Sequence, residues 1–580
     1  MIGAQHVLSI LRHAGKKTLE HKRTPMLATV SGVVTTKPAL IAYVDRTIPQ
    51  FEIITTKSFQ VKYNPGNREP IICEMEIGSF GNSVGLRNCG MDEALDEITL
   101  LRKKGIRALL NVSISGSSAE DFILLAIAFH EVADILELNF SCPHAAAGYG
   151  SSIGCDPSIT AMYVKAIKEA LPACKALIFP KLTPNVDDIG LIARSAIEAG
   201  ADGLVAINTV GPVIHKEHHS GKPILQNALG GKGGKSGRWV LQDALRSVAR
   251  IREAVGPDIP IIGMGGVSTG SDIVAMLEHG ADVVGIGSAF GKVMQKHWAD
   301  YAADLVDDAQ HILNGGTDPQ NASNWYNATL SMSYEPHKVI DMVMHDNDTA
   351  IITLDGAKPF EAGQFVFLWI PGVGEKPFSI AIDDPLTFVV KRKGAFTDAL
   401  LDLKTGDDIY VRGLYGAAVE TPVTKHAVLI AGGTGVAVLP ALARSLYEKK
   451  TDIDMFIGTS AIVGEEKKGI LEEHLEHYGT VTVIADDGIV ARVLQHVSLS
   501  FKPIDSTAVY IVGPEKFMAK AAHLARKAGI GEKNILLSME LSTMCGIGMC
   551  GECVCGERLT CQWGTFVSYD YLEREAPHLL

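Results

Sequence analysis

The sequence predicts a multidomain α/β chain: a (β/α)8 barrel, then a small antiparallel β-barrel, an open α/β nucleotide-binding sheet and a C-terminal domain organised by cysteines. Three observations predict it. Apolar runs of strand length alternate with helical patterns through the first half, short alternating strands follow a polar stretch, and five of the ten cysteines fall between Cys545 and Cys561. At 580 residues the chain is too long for one core. Its 47% apolar and 21% charged residues are an ordinary globular balance.

From about Ile71 to Phe290 the runs are ALLNV ending at Val112, ILELN at Asn139, LIFPK at Lys181, GLVAI at Ile207, IPIIG at Gly263 and VVGIG at Gly287. Each is short and almost wholly apolar, as expected of a strand buried on both faces. Repeated βα units of this number predict an eightfold TIM barrel, with a doubly wound open sheet as the alternative. Polar residues sit where the runs end, at Asn111, Asn139, Lys181, Asn208 and Ser288, and in a barrel these ends form the catalytic face. The barrel is assigned to residues 1–314, and the turn-rich stretch 315–333 is read as a linker.

Residues 334–424 carry TAIITLD, QFVFLWI, FSIAI, LTFVVKR and DIYVRG, an antiparallel pattern. Residues 425–537 carry AVLIAGG, DMFIGTS, VTVIADD and AVYIVGP, each closing on a Gly, Ser or Asp turn. In AGGTGVAVLP, the glycines Gly432, Gly433 and Gly435 follow a strand and open a helix, so the backbone can approach a pyrophosphate. A plain strand–helix turn reads the same way in isolation.

Residues 538–580 hold Cys545-x4-Cys550-x2-Cys553-x7-Cys561, whose leading intervals are those of a plant-type 2Fe-2S site. Gly546, Gly548 and Gly551 let backbone N–H groups turn inward toward sulfur. A zinc knuckle is the alternative, although zinc sites pair two C-x2-C units and this spacing is uneven. Cys555 is read as a non-ligand. The net charge of −13 argues against nucleic acid. With no signal peptide or membrane span evident, a cytoplasmic protein is expected.

Together with KPFSI and KGAFTDAL, the second half resembles the ferredoxin-reductase-like superfamily. The cysteine loop narrows the resemblance to the electron-transfer subunit of class 1B dihydroorotate dehydrogenases, over Tyr334 to about Val567. That resemblance implies FAD and NAD, with cofactor contacts at Lys376, Phe378, Ser379, Gly394, Thr397, Gly432, Gly433 and Gly435, and a cluster on Cys545, Cys550, Cys553 and Cys561. Lys376 stands where Arg is commoner, and the interval before Cys561 is shorter than usual. TSAIVGEEKK offers no close Arg for a 2′-phosphate, which favours NAD over NADP.

In the first half, ELNFSCPHA resembles the active-site loop of class 1 dihydroorotate dehydrogenases and of dihydropyrimidine dehydrogenase. The resemblance implies that Cys142 is the general acid/base while FMN exchanges the hydride. A thiol, with a reference pKa of about 8.5, suits a weakly acidic carbon. An inert buried thiol is the plainer reading. The resemblance further implies FMN contacts at Ser31, Gly32, Lys57, Ser58, Asn111, Lys181, Ser236 and Gly237, and a phosphate cup at Gly265, Gly266, Gly287 and Ser288. Substrate contacts fall on Asn82, Asn139, His144, Asn208 and Thr209. His144 gives SCPH, the dihydropyrimidine dehydrogenase spelling, whereas GNSVGL is the dihydroorotate dehydrogenase one. Cys155 follows a Gly-rich segment that could serve as a lid. His215, His218 and His219 are read as solvated loop residues.

The expectation is therefore one chain fusing two functions that class 1B enzymes split, acting on a pyrimidine with NAD. Dihydroorotate oxidation comes first; reduction of uracil, thymine or another activated C=C bond is the alternative, and a non-catalytic electron-transfer scaffold the third. A homodimer is expected by resemblance alone.

Overall fold

The computed structural model describes residues 3–140, 153–327, 329–459, 469–485 and 506–580. It divides into two compact units: residues 1–331 with Ile547–Glu552, and Met332–Gly546 with Cys553–Leu580.

The first unit contains β1 (Leu27–Thr29), β2 (Phe51–Thr55), β3 (Ile72–Glu76), β4 (Ser79–Asn82), β5 (Leu109–Ile114), β6 (Ile135–Asn139), β7 (Leu177–Leu182), β8 (Leu204–Ala206), β9 (Val210–Ile214), β10 (Lys232–Gly237), β11 (Ile261–Met264) and β12 (Val283–Ile286). Eight close into a barrel in the order β1-β12-β11-β8-β7-β6-β5-β2, every pairing parallel. Closure overturns the open-sheet alternative. It also corrects the starting point: β1 and β2 precede Ile71, and β1 has only three residues, too few to show a pattern. The segments β3, β4, β10 and β9 instead form a separate antiparallel sheet of four strands.

Strand side chains alternate, and the barrel uses this along its axis. Ala28, Ile53, Leu109, Ile135, Leu177, Phe179, Val205, Ile262 and Val283 share one interior core with Val7, Leu8 and Leu11 of the helix Ala4–Leu11. Two and four residues onward, the same inward phase brings Thr55 and Lys57, Asn111 and Ser113, Glu137 and Asn139, and Lys181. Apolar packing therefore occupies one end of the barrel and polar chemistry the other. The helices outside begin on side-chain caps: Ser118 accepts from the Asp121 amide, Asp156 from Ser158 and Ile159, and Thr269 and Asp272 form a reciprocal capping box. Beyond the helix Trp298–Leu313, residues Asn321–Trp325 make a 3₁₀ turn. Trp325 Nε1 donates to Asp304 at 2.7 Å, and the Ala322 amide donates to Asp308 at 3.0 Å.

The second unit contains β13 (Tyr334–Met344), β14 (Thr349–Leu354), β15 (Phe365–Ile370), β16 (Gly374–Ser379), β17 (Ile382–Asp383), β18 (Leu386–Lys391), β19 (Asp408–Tyr415), β20 (His426–Gly432), β21 (Asp452–Thr459), β22 (Thr480–Ala485), β23 (Thr507–Val512), β24 (Ile535–Ser538), β25 (Val554–Cys555), β26 (Arg558–Leu559) and β27 (Phe566–Ser568). The first seven form one antiparallel sheet, β16-β15-β19-β13-β14-β18-β17, around a core that includes Val339, Ile352, Val366, Leu368, Phe388 and Val411. FSIAI, read as one strand, is divided between β16 and the two-residue edge strand β17.

The other large sheet runs β22-β21-β20-β23-β24-β27, parallel except for β27. In β20, Val428 and Ile430 pack with the helix Glu515–Lys527, while Ala427, Leu429 and Ala431 pack with the helix Leu439–Glu448. Burial on both faces explains the unbroken apolar run. No helix among the described residues is long and apolar enough to cross a membrane.

Phe179 fills the barrel interior beside Gly203, where an added Cβ would lie 2.3 Å from its ring. Phe179→Ala should cost about 3–5 kcal/mol, read as a fall in the urea midpoint of the barrel; a change below about 1 kcal/mol would contradict this packing.

Candidate functional site

The inward phase of the barrel strands delivers its polar residues to a single mouth, and a cavity lies there. It contains about 1270 Å³ of atom-free space, part of it open to solvent. Residues just past the strand ends form most of the wall: Ser31 and Gly32 after β1, Lys57 and Ser58 after β2, Asn139 of β6, Lys181 of β7, Asn208 and Thr209 after β8, Gly265 and Gly266 after β11, and Gly287 and Ser288 after β12. The antiparallel sheet supplies Ile72, Asn82, Lys235, Ser236 and Gly237, and the loop after β4 supplies Val84, Gly85 and Leu86. Met549 also lines the cavity.

At two glycines of the expected phosphate cup, packing against the protein itself excludes a side chain. A Cβ at Gly266, where φ is +82°, would sit 2.7 Å from the Leu241 amide nitrogen; one at Gly287 would sit 2.3 Å from Val30.

A hydrogen-bonded chain crosses the cavity floor. Asn208 Nδ2 donates to Asn139 Oδ1 at 3.2 Å, and Asn139 Nδ2 donates to Ser58 Oγ at 3.0 Å. Ser58 shares hydrogen bonds with Ser31 at 3.1 Å and Ser113 at 2.8 Å, and Ser113 Oγ donates to Glu137 Oε1 at 2.9 Å. Lys181 Nζ lies 3.4 Å from the same oxygen, with side-chain exposures of 7% for the lysine and 0% for the glutamate. The chain orients both amides and leaves hydroxyl and ammonium groups at the wall. Asn111 is not part of that wall: it lies deeper, with Nδ2 donating to Thr55 Oγ1 at 3.2 Å. Cys142 and His144 lie outside the described residues.

The three wall lysines differ in environment. Lys57 Nζ pairs with Glu552 at 3.2 Å. Burial pushes its ammonium pKa down, and the Glu552 carboxylate opposes that shift. Lys181 faces Glu137. Lys235 stands 5.5 Å over the Trp239 ring and forms no ion pair with the described residues. No carboxylate is among the described residues of the wall. Glu137 and Lys235 received no role from the sequence, although a glutamate inside the apolar run ILELN is itself a sign of a buried charge. His215 corrects an expectation. It is buried against Trp239, with ring centroids 5.8 Å apart, and burial lowers its pKa; His218 and His219 are exposed.

In the second unit, Lys376, Phe378 and Ser379 lie half-buried on β16, and Phe378 packs against Phe388 and Phe396. Gly394 precedes the helix Ala395–Leu401, where Thr397 Oγ1 accepts from the Lys393 amide at 2.7 Å and the Gly394 amide at 3.1 Å. Gly432 ends β20; Gly433 and Gly435 lie in the 3₁₀ turn that leads into the helix Leu439–Glu448. TSAIVGEEKK lies outside the described residues from position 460 to 468.

Cys545, Cys553 and Cys561 are all buried. Hydrogen bonding to Cys545 and Cys553, then burial, pushes the Cys561 thiol well up. Among the described residues, no group of three or more His, Cys, Asp or Glu side chains is set to hold a metal ion as it stands. Deprotonation on binding would remove the shared thiol hydrogen bonds. Gly546, Gly548 and Gly551 all have positive φ, at +82°, +75° and +71°, so the loop folds through conformations that side chains disfavour. Converging buried thiols on such a loop fit an iron–sulfur ligand set. Cys550, also buried, belongs to the first unit, where its carbonyl accepts from Thr36 Oγ1 at 2.9 Å. Cys555 sits in an apolar cluster, and burial pushes its pKa up to about 11. Cys155 is exposed.

Residues 18–305 match the family described as dihydroorotate dehydrogenase. The catalytic subunit of dihydroorotate dehydrogenase B (NAD(+)) from Methanothermobacter thermautotrophicus is 42% identical over 236 residues, 41% of this chain and 74% of that protein. The chain belongs to the dihydroorotate dehydrogenase family. The corresponding subunit from Pyrococcus abyssi is 40% identical over 263 residues, 45% of this chain and 83% of that one. A solved structure of an NADH-dependent reduced ferredoxin–NADP oxidoreductase covers 42% of this chain and 93% of its own, at 24% identity and a TM-score of 0.36.

For this family member, Glu137→Ala should lower stability by about 3–5 kcal/mol, because it removes the carboxylate facing a buried ammonium. Glu137→Gln, which can still accept from Ser113, should cost less. Urea unfolding of both variants checks this, and equal losses would contradict the charge argument.

Proposed function

We propose that the chain oxidises a dihydropyrimidine, dihydroorotate first, and passes the electrons to NAD. The supporting observation is the composition of the barrel cavity: three asparagines and three lysines, without a described carboxylate, in a member of the dihydroorotate dehydrogenase family. Asparagine can both donate to ring C=O groups and accept from ring N–H groups. In this reading, Asn82, Asn139, Asn208 and Thr209 orient the ring. Lys235 meets the substrate carboxylate, since Lys57 and Lys181 already face Glu552 and Glu137.

FMN would be held by Ser31, Gly32, Lys57, Ser58, Lys181, Ser236 and Gly237, with its phosphate at Gly265, Gly266, Gly287 and Ser288. FAD would be held by Lys376, Phe378, Ser379, Gly394 and Thr397, NAD by the turn at Gly432, Gly433 and Gly435, and a 2Fe-2S cluster by Cys545, Cys550, Cys553 and Cys561. When bound, the flavins and cluster supply hydride acceptance and one-electron relay. Cys142 takes the proton from ring carbon, and the lysines stabilise negative charge in the cavity. Residues 1–314 form the substrate half, with 334–424, 425–537 and 538–580 as flavin, nicotinamide and cluster parts.

The spelling SCPH, with His144, supports a second reading: nicotinamide-dependent reduction of uracil or thymine. Anaerobic mixing with dihydroorotate, then dihydrouracil, separates the two. Dihydroorotate should bleach the flavin absorbance; bleaching by dihydrouracil alone would reverse the assignment. Cys142→Ser should slow bleaching by about 10²–10⁴-fold, the range for a lost general base, and an unchanged rate would remove that role. Lys235→Gln should raise KM for dihydroorotate by roughly tenfold or more, since a hydrogen bond to a charged group contributes about 1.5–3 kcal/mol. An unchanged KM would show that the carboxylate binds elsewhere.

A further inference from the structure

The second unit encloses a charge pair that the proposed function does not use. Arg412 of β19 and Glu375 of β16 have no exposed side-chain surface. Arg412 Nε donates to Glu375 Oε2 at 2.8 Å and Nη2 to Glu375 Oε1 at 2.6 Å, a bidentate fork. Tyr334 also donates to Glu375 Oε2, at 2.7 Å. The guanidinium carbon sits over the Phe367 ring, 3.8 Å from its centroid.

A guanidinium has five N–H donors. Two serve Glu375 and one serves the Tyr415 hydroxyl at 2.8 Å. The other two leave the sheet: Nη1 donates to the Cys545 carbonyl at 3.0 Å and Nη2 to the Met544 carbonyl at 3.3 Å. Tyr415 also walls the loop, because a Cβ on Gly546 would lie 3.0 Å from its ring. A buried ion pair is often no more stabilising than apolar residues of the same volume. Its distinctive features here are a rigid, fully bonded grip on the backbone of the first cysteine and a positive charge held beside it.

We infer that Arg412, balanced by Glu375, is a positioning residue for the cysteine loop and sets the ease with which a cluster on that loop takes up an electron. This rests on the reading of Cys545, Cys550, Cys553 and Cys561 as 2Fe-2S ligands. Reduction adds one negative charge, so a nearby guanidinium favours the reduced form and the Glu375 carboxylate opposes it. Outer groups of this kind orient ligands and tune metal sites.

The test uses the full-length protein, purified anaerobically. Iron and acid-labile sulfide are measured first, followed by an electron paramagnetic resonance titration with dithionite. Glu375→Gln leaves Arg412 unbalanced and should favour the reduced cluster at least tenfold, about 59 mV for a one-electron couple. Arg412→Gln combined with Glu375→Gln removes both charges and should reverse that shift by at least tenfold. The neutral double variant still gives a reading if the single variant fails to fold, judged by retained FAD. Its resonance line shape should change too, because the grip on Cys545 is altered. An unshifted potential in Glu375→Gln, or full iron content with a wild-type line shape in the double variant, overturns the inference and leaves the cluster assignment intact. Wild-type protein without iron or sulfide overturns the cluster assignment, and the inference with it.

Discussion

Closing eight parallel strands on one another forces every second side chain of each strand into a shared interior, and most of the first unit follows from that constraint. The barrel is too narrow to leave its lower layers empty, so Ile53, Leu109, Ile135, Leu177 and Phe179 fill them together with the helix Ala4–Leu11. Polar residues in the same inward phase gather toward the open end, where they bond one another or face the cavity. Glu137, Asn139 and Lys181 occupy that layer. The cavity is thus a consequence of strand phase as much as of loop sequence.

The two buried charge pairs meet opposite demands. Lys181 and Glu137 end a hydrogen-bonded chain that runs through serines to the amides of the wall, so their charge is transmitted to a ligand-facing surface. Arg412 and Glu375 have no exposed side-chain surface, and the guanidinium reaches the cysteine loop through two backbone carbonyls. A buried ion pair is weak evidence for stability in either place. Each is better understood as fixing an orientation that apolar contacts alone would leave loose.

Much of this was legible because burial on both faces writes a continuous apolar run. The strands β5, β6, β7, β8, β11 and β12, and later β20, β21, β22 and β23, declared themselves in that way. β1, with three residues, had no room for a pattern. β3 and β4 carry glutamates, glycine and asparagine, so their pairing with β10 could not be read from polarity. Most wall residues were found through turn chemistry and family resemblance. Asn111 was not separated from them because depth along the barrel axis leaves no mark in one dimension. His215 looked like a solvated loop residue, because only the fold brings Trp239 and Gly81 against it.

The last strand of the six-stranded sheet lies beyond the cysteines. β24 ends at Ser538, and β27, its antiparallel neighbour, begins at Phe566. The segment between them is therefore pinned at both ends to one rigid edge, like a handle on a plate. Chain release after Cys561 but before Phe566 would supply every thiol yet leave β24 with bare hydrogen-bonding groups, the kind of edge on which foreign strands assemble. Completion of the sheet thus requires the whole cysteine segment to have been made.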